Sequence, residues 1–286
     1  MISSFDELHE LIKGSIPKRV ALVAAEDPIL IEVASKAQRE GVAQFILVGD
    51  RRKIQTLIPG DTPDFEIVDS QASAKDAVAL IHQGRADLLM KGKISTGALL
   101  KAVLDRDLGL RQGELLNHIA VIESPSYHKL LFISDGGINL QFDKQTYIHM
   151  IHNIAIYLKG LGNDDPRFAM MTLVETVNQK IPETVVAQAV VKEIGDQFRI
   201  EGPIAPDVAL SASAARQKGL KSNISGEVDV FLMPNTTAAN HLVKGLSSLG
   251  GCKVGGVIVG AKVPIILLSR SDDAETKYRS ILLGLV

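Results

Sequence analysis

Over its first hundred residues the chain alternates short apolar runs with amphipathic stretches, and this alternation constrains the fold more than any other feature. Arg19–Ala25, Gln44–Val48, Phe65–Val68 and Asp87–Met90 read as strands. Phe5–Lys13, Asp27–Arg39, Arg51–Leu57, Ala72–Gln83 and Thr96–Leu104 read as helices between them. The junctions carry their own punctuation. Asp27 followed by Pro28 is a cap residue followed by the imino acid that suits the first helical position. Gly41 and Gly84 stand where helices stop. Strands separated by helices of this length imply βαβ units and a largely parallel sheet.

Beyond Asn117 the pattern changes. Ile119–Ile122 and Leu130–Ser134 are two apolar runs joined by Glu123-Ser-Pro-Ser-Tyr-His, which predicts a hairpin-like pair. Asp143–Leu161, Glu183–Ile194, Asp207–Lys218 and Ala238–Leu249 follow as helices, with strands at Arg167–Leu173 and Val228–Met233 and an extended Ile200–Ile204. At 286 residues the chain has length for about two domains. We expect residues 1–120 with 257–286 to form one α/β domain and residues 121–256 a second, with the ligand site in the cleft between them.

The stretch Lys253–Lys277 closes the first domain in this reading. Val257–Val259 and Val263–Leu268 flank Gly260-Ala-Lys, and the second run ends at Ser269-Arg270. Asp272 and Asp273 then open a helix in which Ala274, Lys277, Tyr278 and Ile281 recur at helical spacing. In open α/β sheets ligands bind outside the carboxyl ends of the strands, and a helix N-terminus there attracts anions. Ser269 and Arg270 are therefore placed to hold a negatively charged group.

Composition excludes several classes. A net charge of -2 without a dense basic patch argues against a nucleic-acid partner. The lone Cys252 rules out an internal disulfide and a multi-cysteine zinc site. The N-terminus lacks the layout of a signal peptide, and no apolar run approaches the roughly 20 residues that cross a bilayer. We expect a cytoplasmic protein without a membrane partner.

Other residues carry chemistry in one reading and structure in another. Lys91-Gly92-Lys93 sits between a strand and a helix: a phosphate contact, or a solvated turn. Arg111 offers a planar fork to an anion, or an ion pair to Asp105 or Asp107. Asp135 and Asn139 either form a tight polar turn or line the cleft. Asn240 and Lys244 share a helix face at i,i+4, whereas His241 points elsewhere and is set aside as structural. Metalloprotease, Cys-x-x-Cys, nucleophile-elbow, P-loop and dinucleotide-binding spacings are all absent.

From about Asp87 to its end the chain resembles the phosphate acetyl/butyryltransferase family. The resemblance rests on Leu88-Leu-Met-Lys-Gly92 followed by Thr96, Gly109-Leu-Arg111, Ser134-Asp135 with Asn139, and Val174-Glu-Thr-Val-Asn178. It continues through Gly202-Pro-Ile-Ala-Pro-Asp207, Met233-Pro-Asn235 with Asn240 and Lys244, and Gly260–Asp272. It implies two α/β domains of the isocitrate-dehydrogenase-like or phosphotransacetylase-like type with an interdomain cleft, assembled as a homodimer or larger. It implies exchange of a short acyl group, butyryl-like or acetyl, between coenzyme A and inorganic phosphate. Coenzyme A is then a substrate, with no tightly bound cofactor and no metal.

Within the resemblance Ser269 and Arg270 match the family's serine–arginine motif, and Arg111 is its candidate acyl-phosphate arginine. Lys91, Gly92, Thr96, Arg111, Asp135, Asn139, Asn240 and Lys244 are the candidate substrate-binding residues. The acetyltransferase branch carries a carboxylate seven residues after the motif serine, where this chain has Thr276. Asp272 and Glu275 are therefore the candidate bases, and both also suit the first turn of a helix as dipole partners. Two other expectations stand beside the acyltransferase: a metal- and NAD-dependent dehydrogenase of the same fold, and a non-catalytic acyl-CoA binder.

Overall fold

The computed structural model describes residues 2–60, 63–267, 269 and 272–286. It divides into two compact units. One combines Phe5–Glu114 with Gly255–Val286, and the other is built on Leu115–Val254. The architecture is mixed α/β in both.

The discontinuous unit begins with α1 (Phe5–Lys13), β1 (Lys18–Val23), α2 (Pro28–Arg39), β2 (Ala43–Gly49) and α3 (Arg51–Leu57). It continues through β3 (Glu66–Asp69), α4 (Ser73–His82), β4 (Leu88–Lys91) and α5 (Thr96–Val103). β1 lies between β2 and β4 and is parallel to both, with Val23 opposite Val48 on one side and Lys91 on the other. The caps explain the helix starts. The Asp27 carboxylate accepts from the Ile29 and Leu30 amides at 3.0 and 3.2 Å, with Pro28 at the first helical position. Gly41 takes a φ of 73°, a left-handed turn that costs a residue with a Cβ about 1 kcal/mol or more.

The continuous unit opens with β5 (Asn117–Glu123) and β6 (Leu131–Ser134), antiparallel from Ile119 opposite Ser134 to Ile122 opposite Leu131. The hairpin expected from the two apolar runs is there. Then come α6 (Lys144–Gly160), β7 (Arg167–Met171), α7 (Pro182–Ile194), β8 (Arg199–Ile204), α8 (Pro206–Leu210), α9 (Ala212–Gln217), β9 (Val230–Leu232) and α10 (Thr236–Ser248). These strands run in the order β5-β6-β9-β7-β8. Ile133, Ala169, Val208 and Phe231 meet in the buried core. The single helix expected over Asp207–Lys218 is two short ones. Ser211 stands between them with extended backbone, and its hydroxyl accepts from the Ala214 amide at 3.2 Å. A serine that caps a new helix competes with continuing the old one.

The chain returns through β10 (Lys253–Val259), β11 (Ile265–Ile266) and α11 (Ala274–Gly284). Of the run Val263–Leu268 two residues form the strand, which starts after Pro264, a residue without the N–H a ladder needs; Leu268 lies outside the described residues. β11 is antiparallel to β10, at Ile258 and Ile265, and parallel to β4, with Ile266 opposite Met90. Among the described residues no helix is long and apolar enough to cross a membrane.

Candidate functional site

In the discontinuous unit the strand order reverses at β1. Its crossover leads to β2 and β3 on one side, and α4 then brings the chain to β4 on the other. Such a reversal opens a crevice at the carboxyl ends of the strands. There the β1 and β4 ends are laced together: the Gly92 amide donates to the Val23 carbonyl at 2.8 Å, and the Lys93 amide to the Ala24 carbonyl at 2.7 Å. Ala24 itself holds a φ of 54°, unusual for a residue with a side chain. A Cβ on Gly92 would meet those two carbonyl oxygens at 2.4 and 2.3 Å, so glycine is required there by the β1 backbone. Lys91 is buried, with its ammonium 3.5 Å from the Gly92 carbonyl. Thr96 is half-buried at the first position of α5, whose cap is Ser95, accepting from the Ala98 amide at 3.1 Å.

Two of the sequence motifs meet in this unit. The Lys262 amide donates to the Leu110 carbonyl at 2.8 Å, the Gly113 amide to the Gly260 carbonyl at 3.3 Å, and Arg111 bridges Ala261. The Gly109–Arg111 loop is thus anchored by backbone to the turn that leads into β11, leaving the Arg111 side chain exposed. The ion pair weighed for Arg111 with Asp105 or Asp107 is not formed among the described residues. Asp105 instead accepts from the Asp107 and Leu108 amides at 3.1 and 2.9 Å. The Leu108 amide bond, then that of Asp107, holds its carboxyl below the ordinary range.

Past β11, Ser269 is exposed. Its amide donates to the Asp272 carboxylate at 2.7 Å, and the Asp272 amide donates back to the Ser269 carbonyl at 3.3 Å. Arg270 lies outside the described residues. Asp273 caps α11, accepting from the Thr276 amide at 2.7 Å, and that bond, followed by one from the Thr276 hydroxyl, pulls its carboxyl down. Glu275 is exposed and pairs at 2.9 Å with Lys36 of α2, whose ammonium also lies 4.5 Å from the centre of the Tyr278 ring. Lys277, one turn into the helix, is buried and donates to the Asp272 carbonyl. In the sequence Lys277 falls on the stripe shared by Ala274, Tyr278 and Ile281. A lysine on such a stripe was the available signal.

In the continuous unit the carboxyl ends of β6 and β9 lie side by side, Ser134 opposite Leu232. Asp135 is fully buried there and spent on its own turn. It accepts from the amides of Gly137 at 2.8 Å, Ile138 at 3.0 Å and Asn139 at 3.2 Å, and from the Asn139 side chain at 2.6 Å. Asn139 also donates to the Leu116 carbonyl at 2.8 Å. The N-terminus of α10 closes on this turn: Thr236 donates to the Asn139 carbonyl and Asn240 to the Gly136 carbonyl at 3.2 Å. Asp135 and Asn139 thus form a tight polar turn. Lys244, one helical turn beyond Asn240, is exposed.

A family model described as phosphate acetyl/butaryl transferase matches residues 66–284. The chain belongs to this family. It is 36% identical over 295 residues to the phosphate butyryltransferase of Clostridium acetobutylicum, covering 99% of this chain and 98% of that one. It is 34% identical over 291 residues to the phosphate acetyltransferase of Thermotoga maritima, covering 98% of each. A crystal structure of a branched-chain phosphotransacylase from Enterococcus faecalis V583 superposes with a TM-score of 0.83 at 30% identity, covering 93% of this chain and 97% of that one. The protein is an acyltransferase of the phosphate butyryl- and acetyltransferase type, and the dehydrogenase alternative is not favoured. Among the described residues no group of three or more His, Cys, Asp or Glu is arranged to hold a metal ion.

Proposed function

We propose that the protein exchanges a short acyl group, butyryl-like or acetyl, between coenzyme A and inorganic phosphate, with Ser269 and Arg270 handling the reacting centre. The observation that carries the assignment of residues is the pairing of β11 with β4. Ile266 lies opposite Met90, so the two parallel strands deliver Ser269 and Lys91 to the same end of one sheet. In the direction of acyl-CoA synthesis the coenzyme A thiolate adds to the carbonyl carbon of the acyl phosphate. The tetrahedral intermediate then collapses, its C–O bond breaks, and phosphate leaves with the bonding pair. Ser269 donates a hydrogen bond to the oxyanion, a contact worth roughly 3 kcal/mol of transition-state stabilisation in other enzymes. Arg270 neutralises the phosphoryl oxygens.

The thiol, with a reference pKa of about 8.5, ionises more readily near cationic groups. Lys91 and Arg111 belong to the same unit as Ser269 and supply that charge. Gly92 and Thr96 shape the neighbouring loop. Asp135, Asn139, Asn240 and Lys244 form the substrate-binding set of the other unit, in which Lys244 carries the exposed charge and Asp135 holds the turn. Asp272 is engaged with the Ser269 amide and Glu275 with Lys36, so neither carboxylate is assigned as the base. We further infer a cytoplasmic enzyme that assembles as a homodimer or larger.

The test is release of coenzyme A from a series of acyl-CoAs of increasing chain length, with and without phosphate. Phosphate-dependent release, greatest for a short chain, is expected. No phosphate-dependent release from any member of the series overturns the reaction, and binding without turnover would favour a non-catalytic acyl-CoA binder.

A further inference from the structure

We propose that Lys277 is a positioning residue for Ser269, acting through Asp272. The proposal rests on the assignment of Ser269 to the reacting centre. Ser269 and Asp272 exchange hydrogen bonds, the Ser269 amide to the Asp272 carboxylate at 2.7 Å and the Asp272 amide to the Ser269 carbonyl at 3.3 Å. These bonds tie Ser269, which follows a two-residue strand, to the residue before the α11 cap. The Lys277 ammonium fixes Asp272 in turn by donating to its carbonyl.

Two features make this more than a chance contact. Lys277 is 5% exposed, and an ammonium is seldom buried unless a definite partner compensates its lost hydration. Among the described residues it forms no ion pair, so the Asp272 carbonyl is the acceptor that justifies its place. The anchor is also rigid. Lys277 sits in α11, its own amide donating to the Asp273 carbonyl at 3.1 Å, and its neighbours Tyr278 and Ile281 are buried. A core helix therefore transmits its position to the serine through one ammonium, one carbonyl and one carboxylate. Oxyanion and phosphate contacts tolerate only a fraction of an ångström of displacement, so a support of this kind sets kcat more than substrate affinity.

The experiment uses the full chain and the variants Lys277→Met, Lys277→Gln and Lys277→Arg. Two quantities are measured for each: steady-state kcat and KM for acyl-CoA and phosphate, and hydrogen–deuterium exchange of the peptide containing the Ser269 amide. Lys277→Met is expected to lower kcat ten- to a hundredfold with KM for acyl-CoA changed less than threefold, and to speed exchange at Ser269. Lys277→Arg, which keeps a cationic donor, is expected to recover part of both. Across all variants that fold, kcat and Ser269 protection move together. A folded variant in which one is lost and the other kept overturns the proposal, as does Lys277→Met with both unchanged. Ser269→Ala serves as the control: wild-type turnover in that variant removes the serine assignment itself, whatever Lys277 does.

Discussion

The Asn139 side chain donates to the Asp135 carboxylate at 2.6 Å, and the same carboxylate gathers three backbone amides of the turn between them. Two residues that the sequence offered as substrate ligands are, to this extent, ligands of each other. The buried carboxylate organises the loop that the N-terminus of α10 packs against through Thr236 and Asn240.

Asp135→Ala is therefore expected to destabilise the protein as well as impair catalysis. The four donors its carboxylate serves are only part-buried, so each lost hydrogen bond costs about 0.5–1.5 kcal/mol, and a loss on the order of 3 kcal/mol is expected in denaturant unfolding. An Asp135→Ala protein with wild-type stability would show that the turn holds without its carboxylate.

Gly92→Ala is expected to cost on the order of 2 kcal/mol and to reduce turnover at least tenfold. The added methyl faces backbone carbonyls of Val23 and Ala24, which cannot rotate away as a side chain would. Thermal melting and kcat together check this; a change in kcat alone would point to a ligand contact instead.

Glu275→Gln should leave kcat within about threefold, because the exposed Glu275–Lys36 pair is of the kind worth about 0–1 kcal/mol. A hundredfold fall in kcat with loss of the acid limb of the pH profile would restore Glu275 as the thiol base.

Lys129 and Asp229 form a buried ion pair at 2.7 Å, 7% and 1% exposed, with Asp229 also accepting from the Arg167 amide at 2.7 Å. Removing one partner strands the other charge in the interior, so Lys129→Met is expected to lose about 3–5 kcal/mol in equilibrium unfolding. Turnover per folded molecule should survive, since no assigned residue of the reacting centre touches the pair.

The α11 cap predicts a pH dependence. Asp273 has its carboxyl depressed below the ordinary 3.8 by the Thr276 amide and hydroxyl. A depressed folded pKa contributes stability that is present above the unfolded value and lost as pH falls through the folded one. Asp273→Asn keeps an acceptor for the cap but does not titrate. The stability advantage of the wild type over this variant should therefore shrink between about pH 5 and pH 2. An advantage that does not vary over this range would mean that the cap carries no charge-dependent stabilisation.

The sequence by itself determined the α/β class, the hairpin at Ile119–Ser134 and the family, because alternation, caps and motif order are local properties of the chain. It marked Asp27 as a cap and Gly92 as part of a phosphate contact or a solvated turn, for reasons that need only a few neighbouring residues. That Gly92 is required by the Val23 and Ala24 carbonyls is a different matter, because those lie about seventy residues away along the chain. The same holds for Leu110 against Lys262, and for the lone lysine on the apolar face of α11. Whether a polar side chain meets a ligand or its own backbone depends on which groups the fold has already supplied as partners. Spacing in sequence cannot tell Asp135 holding a turn from Asp135 holding a substrate. Only the tertiary structure shows that the turn's own donors already reach its carboxylate.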